Sequence, residues 1–260
     1  MIREITVKTA LSKSNLKELD YALNPYLGCR LSCTYCYARY FSPEEVKEKW
    51  GEVILVKSNL LEVLRREVNV KRRGVVGVST VTDPYQPVEA QRKITRGSLE
   101  ILLKSGFRVS IQTKSPLVLR DVDVLSKYRE KVDVGITITT VDRDVSKEIE
   151  PFAPLPDARF NAVKGLRDAG IETWIFLGPI IPGVNEHFEG ILERVKDMGI
   201  RVIYDFYNHY PGLPFSRIRR EKIKELEEKL KRLCLELGIQ CHSEEEDWIF
   251  EKRRANRPLF

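Results

Sequence analysis

Three of the five cysteines in this 260-residue chain, Cys29, Cys33 and Cys36, fall within eight residues. Their spacing is C-x3-C-x2-C, inside "NPYLGCRLSCTYCYAR" (24–39). Three thiolates on one short loop suit a soft metal centre. On a four-iron cluster they leave one iron without a protein ligand, open to a small chelating molecule. A structural cluster takes four cysteines, and a structural zinc site takes four closed ligands. A zinc site completed by Cys241 or His242 is the alternative, at a spacing unusual for zinc pairs. Cys234 lies on the apolar stripe of "EKLKRLCLEL" and reads as core; Cys241 follows Gly238 and reads as a small strand residue.

Such a loop needs a frame. Short apolar segments predict strands over 5–8, 21–26, 74–80, 107–113, 132–139, 172–177 and 201–207. Apolar residues at helical spacing predict helices over 43–49, 60–68, 94–105, 119–128, 157–169, 187–198 and 217–237. Gly106, Gly170, Gly199 and Gly238 each stand where a helix should stop. About six strands, each followed by a helix, imply parallel βαβ units, since parallel strands need crossover connections. The pattern fits a closed or partial β/α barrel or an open doubly wound sheet. Both place chemistry at the C-terminal ends of strands, where the motifs fall. No Pro/Gly/Ser-rich linker divides the chain, so one domain over 1–260 is expected, with a core at about 21–210 and a C-terminal helix and basic tail over 214–260.

Composition narrows the function classes. Hydrophobic content of 42% with 32% charged residues is a globular balance. Five cysteines are too few for a disulfide scaffold. No apolar run approaches the roughly 18 residues of a membrane helix, and the charged start lacks the apolar core of a signal peptide. A cytoplasmic monomer without membrane contact is the expectation. Abundant Glu, Lys and Arg with only two Met is a thermophile-like usage. The net charge of +6 permits a nucleic-acid partner, but acidic residues interleave the basic clusters at 65–66, 71–73, 217–222 and 252–257, so solvated faces are expected there.

The cysteine motif, with an aromatic residue before its third cysteine, resembles the radical S-adenosylmethionine superfamily. "STVTDPYQPVE", "TKSPLVLRD" and "PIIPGVNE" are further similar to its spore photoproduct lyase-like (DNA-repair photolyase-like) branch, over about residues 24–185. The resemblance implies an α/β fold, a single-domain partial (β/α)6 TIM-type barrel with a C-terminal helix. It implies a [4Fe–4S] cluster on Cys29, Cys33 and Cys36, with S-adenosyl-L-methionine on the open iron. An electron from an external donor would then yield a 5′-deoxyadenosyl radical that abstracts a substrate hydrogen. DNA or RNA is the substrate favoured by resemblance, with a peptide or small molecule left open. A non-enzymatic iron–sulfur or zinc protein that binds nucleic acid is the rival reading.

The resemblance also implies residues. Tyr35 would help seat the cofactor, and Tyr37 would act in radical relay. Thr82 and Asp83 would face the methionine amino group, a carboxylate suiting an ammonium; an Asp-Pro turn is the alternative for Asp83. Lys114 would bind the methionine carboxylate. Thr137 and Thr139 alternate in a strand and so share one face, where either reaches the carboxylate or ribose. Gly178, in "LGPIIPG", would let the backbone approach the adenine. Glu89 with Arg96 and Glu150 with Arg159 read as structural ion pairs, and His187 and His209 as loop or surface residues. One departure stands out. The lyase branch has a hydrogen-donating cysteine after its second strand, whereas 74–89 holds none and Thr80 stands near that place.

Overall fold

The computed structural model describes residues 1–244. The basic stretch 252–257 expected to be a solvated face, and most of the basic tail, lie outside them. The strands are β1 (Ile2–Ile5), β2 (Ser12–Lys13), β3 (Tyr21–Leu23), β4 (Tyr26–Leu27), β5 (Ile54–Lys57), β6 (Val75–Val78), β7 (Arg108–Thr113), β8 (Val132–Thr137), β9 (Glu172–Ile180), β10 (Arg201–Phe206) and β11 (Cys241–Ser243). The helices are α1 (Glu44–Glu48), α2 (Leu60–Val70), α3 (Glu89–Arg92), α4 (Ile94–Lys104), α5 (Val122–Lys127), α6 (Arg143–Ile149), α7 (Pro156–Asp168), α8 (Glu189–Val195) and α9 (Arg220–Glu236).

The main sheet runs β11-β10-β9-β8-β7-β6-β3-β2. Every neighbouring pair from β3 to β11 is parallel, and β2 adds to β3 antiparallel. Seven strands, β3 and β6 to β11, are thus parallel; β3 and β6 to β10 are the six expected of the partial barrel, and β11 extends its edge. Residues in β6 and β8 are buried throughout, as a sheet covered on both faces requires. Helices such as α4 and α7 pack outside, burying Leu99, Leu102, Phe160 and Val163. Gly106 and Gly238 end α4 and α9 with φ of 88° and 66°, the left-handed stop that favours glycine.

The strand expected over 21–26 divides in two. β3 joins the main sheet, while β4 pairs with β5, which also pairs with β1, in a separate three-stranded sheet. Asn24 sits at the break, and its Oδ1 accepts from the N–H groups of Thr80 and Val81 at 2.9 and 3.1 Å. The N-terminal strand covers 2–5 rather than 5–8 and borders that sheet, not the barrel. β5 escaped the sequence reading because it is a brief apolar run without flanking alternation, while β11 confirms Cys241 as a strand residue in a short polar run.

The two remaining cysteines are joined. Cys234 on α9 forms a disulfide with Cys241 on β11. Cys234 is buried as expected, but neither cysteine stands alone. The turn at Gly238 folds the seven-residue separation back so that helix end and strand start meet.

Candidate active site

Alternate strand residues line a cavity of about 440 Å³: Ser79 on the β6 end, Ser110 and Gln112 on β7, Thr137 on β8, Phe176 on β9, Asp205 on β10. Its base is plugged from both sides. Leu19 lies where a Cβ on Gly77 would approach to 2.3 Å, and the Trp174 indole lies 2.4 Å from a Cβ position on Gly135. The roof is the cysteine loop, which contributes Cys29, Cys33 and Cys36 to the lining.

That loop is a chain of turns. The carbonyls of Cys29, Cys33 and Cys36 accept from the N–H groups of Ser32, Cys36 and Arg39 at 3.2, 3.3 and 3.2 Å. Two residues hold left-handed backbone: Gly28 at φ 81° and Ser32 at φ 52°. A Cβ on Gly28 would meet the Val53 carbonyl at 2.4 Å, so the glycine before the first cysteine is dictated by sterics. The loop is gripped from below by the Gly28 carbonyl, which accepts from Thr82 Oγ1 at 2.7 Å and Gln86 Nε2 at 3.1 Å. Gln86 Oε1 in turn accepts from the Arg30 N–H at 2.9 Å. It is gripped from the side by α6: Thr34 N–H donates to the Ile149 carbonyl at 2.9 Å.

The three thiols are free. Burial first, then the Asp83 and Cys36 charges, push the Cys29 thiol up to about 12. Burial likewise raises Cys33 and Cys36, against the lowering influence of Lys114. Such thiols are not poised nucleophiles, which need a depressed pKa. They become thiolates when a soft cation replaces their protons. Among the described residues no three His, Cys, Asp or Glu side chains converge on a single-ion position. A multi-iron cluster does not require that, because each thiolate takes its own iron. The donor set therefore fits a three-cysteine cluster.

Of the residues singled out from the sequence, Tyr35, Tyr37, Thr82, Asp83, Lys114, Thr137 and Gly178 line the cavity with the cysteines; Thr139 does not. β8 ends at Thr137, so the alternation that would put Thr139 on the same face stops there. Asp83 is more engaged than expected. Its Oδ1 accepts from Thr113 Oγ1 at 2.7 Å and Tyr85 N–H at 2.9 Å, and its Oδ2 from Lys114 N–H at 2.8 Å. The carboxylate thus ties the β6 loop to the end of β7. Gly178 makes room: a Cβ there would lie 2.5 Å from the Phe176 ring. The Tyr37 phenol donates to the Thr80 carbonyl.

Two cavity-lining hydroxyls, Ser79 Oγ and Tyr207 Oη, are buried with no protein partner. Ser79 also holds φ at 69°, a costly conformation for serine that tends to mark functional sites. His187 and His209 are exposed and outside the lining. Glu89 and Arg96 are not a side-chain pair: Glu89 meets Arg120 at 2.8 Å, and Arg96 meets Asp121 and Asp123 at 3.0 and 2.7 Å. Gln86 and Tyr207 went unread in the sequence, because a lone polar residue in an otherwise ordinary stretch gives no periodic signal.

The family model of the Radical SAM superfamily matches residues 23–195. An uncharacterized protein of Methanocaldococcus jannaschii is 35% identical over 207 residues, spanning 80% of this chain and 78% of its own. Spore photoproduct lyase complexed with dinucleoside spore photoproduct superposes with a TM-score of 0.70 at 16% identity, over 94% of this chain and 81% of that one. SuiB of Streptococcus suis bound to S-adenosylmethionine superposes with a TM-score of 0.62 at 13% identity, over 85% and 49%. At those identities the two solved structures speak for the fold.

Proposed function

Because the chain belongs to the radical SAM superfamily and is an enzyme on that ground, we propose that Cys29, Cys33 and Cys36 hold a [4Fe–4S] cluster beside a bound S-adenosylmethionine. Family membership sets aside the non-enzymatic rival. When bound, this pair supplies a 5′-deoxyadenosyl radical for hydrogen abstraction. The observation that carries the reading is the cavity itself: three free thiols on its roof face strand ends that bear an ammonium and two unpartnered buried hydroxyls.

The chain's residues then have these tasks. The thiols give up their protons and ligate. Lys114 offers its ammonium to the methionine carboxylate, an ion pair strengthened by burial. Ser79 Oγ and Thr137 Oγ1 offer neutral hydrogen bonds to the polar parts of the cofactor, and Gly178 lets the adenine lie close to backbone. Asp83, already bonded to three protein donors, has lone pairs left for the methionine amino group. Trp174, Phe176 and Ile203 wall off water, which protects a reactive intermediate. Tyr37 serves as relay beside Thr80, where the lyase branch keeps its cysteine. An external donor reduces the centre.

Nucleic acid is the substrate class we assign. The fold likeness to a lyase solved with a dinucleoside supports it. So does the cluster of Tyr37, Tyr40, Phe41 and Tyr210 beside the cavity, with ring centroids 5.1 to 6.3 Å apart. Base stacking on such rings contributes about 1–3 kcal/mol per base. Anaerobic reconstitution tests the core of the reading: about four irons should load per chain, and dithionite with S-adenosylmethionine should release 5′-deoxyadenosine. Fully loaded protein that releases none would sink it.

A further inference from the structure

Glu150 stands at the end of α6 and does not line the cavity, yet it reaches three groups around it. Its Oε1 accepts from the Tyr35 phenol, the residue before the third cysteine, and lies 3.8 Å from Lys114 Nζ. Its Oε2 accepts from Arg159 Nη2. Arg159, on α7, also donates through Nε to the Pro154 carbonyl at 2.7 Å and through Nη1 to the Thr137 carbonyl at 3.2 Å. One carboxylate therefore joins the cysteine loop, the end of β7, the end of β8 and the first turn of α7. The Lys114 ammonium also sits 5.6 Å over the Tyr35 ring.

Glu150 and Arg159 are both 1% exposed, and Lys114 shares the Glu150 carboxylate with Arg159, with Asp83 as a second, more distant attracting charge. Burying an ion pair gains little stability over well-packed apolar residues, so stability alone does not explain this cluster. Lys114 lines the cavity, where an anionic ligand would give its ammonium a further partner. Arg159 repels that ammonium and Glu150 attracts it. Without the carboxylate, the ammonium has a like charge behind it and no counterion within 4 Å among the described residues.

We infer that Glu150 is a positioning residue for cofactor binding, acting through Lys114 and Tyr35 without touching the cofactor. This rests on the function proposed above. Glu150 attracts the ammonium to a fixed place between the Tyr35 ring and the end of β7, and fixes the ring that precedes Cys36. Arg159 anchors the carboxylate so that it cannot swing into the cavity and compete with the ligand.

The test is a double-mutant cycle read by S-adenosylmethionine binding to iron-loaded protein, with iron content and melting temperature measured alongside. Lys114→Met should weaken binding roughly tenfold to a hundredfold, the scale of one charge-assisted hydrogen bond. Glu150→Gln should weaken it about fivefold or more, within the range of coupled neighbours. In the Lys114→Met background the further effect of Glu150→Gln should shrink to the smaller part carried through Tyr35, with iron content unchanged throughout. Equal effects in both backgrounds, or unchanged or tighter binding in Glu150→Gln, would overturn the inference. If Glu150→Gln does not fold, Glu150→Gln with Arg159→Met removes both buried charges and serves in its place, with the same expected cycle. Wild-type protein that loads no iron or binds no S-adenosylmethionine refutes the proposed function instead. Wild-type protein that does both, with additive variants, refutes only the role of Glu150.

Discussion

The Thr82 hydroxyl donates to the Gly28 carbonyl at 2.7 Å, across 54 residues of chain, and so braces the cysteine loop at its first turn. Gln86 reaches the same oxygen at 3.1 Å and Thr82 Oγ1 at 2.9 Å. A residue that sequence alone assigned to the cofactor thus also holds the cluster loop. Thr82→Val should remove one of the two donors to the Gly28 carbonyl at a cost of about 0.5–1.5 kcal/mol. Iron retained after desalting should fall, and Thr82→Ser should restore it. Unchanged iron in Thr82→Val would refute the brace.

Cysteine substitutions should separate two populations. Cys29→Ala, Cys33→Ala and Cys36→Ala should each abolish iron loading while far-ultraviolet circular dichroism stays as in the parent. Cys234→Ser should leave iron content at the parental value, because that cysteine is bonded to Cys241 and lies outside the cavity lining. Iron loss in Cys234→Ser would contradict the assignment.

The disulfide should contribute stability without contributing to the site. Closing so short a loop removes unfolded-state entropy worth about 2–3 kcal/mol. At this size that corresponds to roughly 5–10 °C in melting temperature. Calorimetry of the chain before and after phosphine reduction measures the difference directly.

Gly178 should tolerate no side chain while Phe176 keeps its ring. Gly178→Ala places a Cβ about 2.5 Å from that ring, and overpacking of this kind costs about 1–3 kcal/mol. Adding Phe176→Leu should recover much of the loss in urea unfolding. A Gly178→Ala chain as stable as the parent would show that the ring moves freely.

Glu150 should give the fold an acid-sensitive element. Burial would raise its pKa, but Arg159 and Lys114, with the hydrogen bonds from Arg159 and Tyr35, hold it below the ordinary carboxylate value. A depressed carboxylate contributes stability that is present above its unfolded value and lost as pH falls through the folded one. Urea unfolding of the iron-free parent should therefore weaken as pH drops below about 4.3, and Glu150→Gln should flatten that part of the slope. Parallel slopes in the two proteins would argue against it.

Much of this protein was readable in local pattern. The C-x3-C-x2-C spacing, the alternation of apolar strands with helices, and the glycines at 106, 170, 199 and 238 are each set within a few residues. They sufficed for parallel βαβ units in a barrel or an open sheet, and the family resemblance narrowed these to a partial barrel. Tertiary structure decided what lies across the chain. Glu150 meets Tyr35 over 115 residues, and Asn24, at the break between two strands, bonds Thr80 and Val81. Cys234 finds Cys241 once Gly238 turns the chain, and the end of β8 removes Thr139 from the cavity wall. Periodicity reports which face a residue takes on its own element. Which group waits opposite depends on how the elements pack, and that is where Thr82 and Asp83 acquire their bracing bonds.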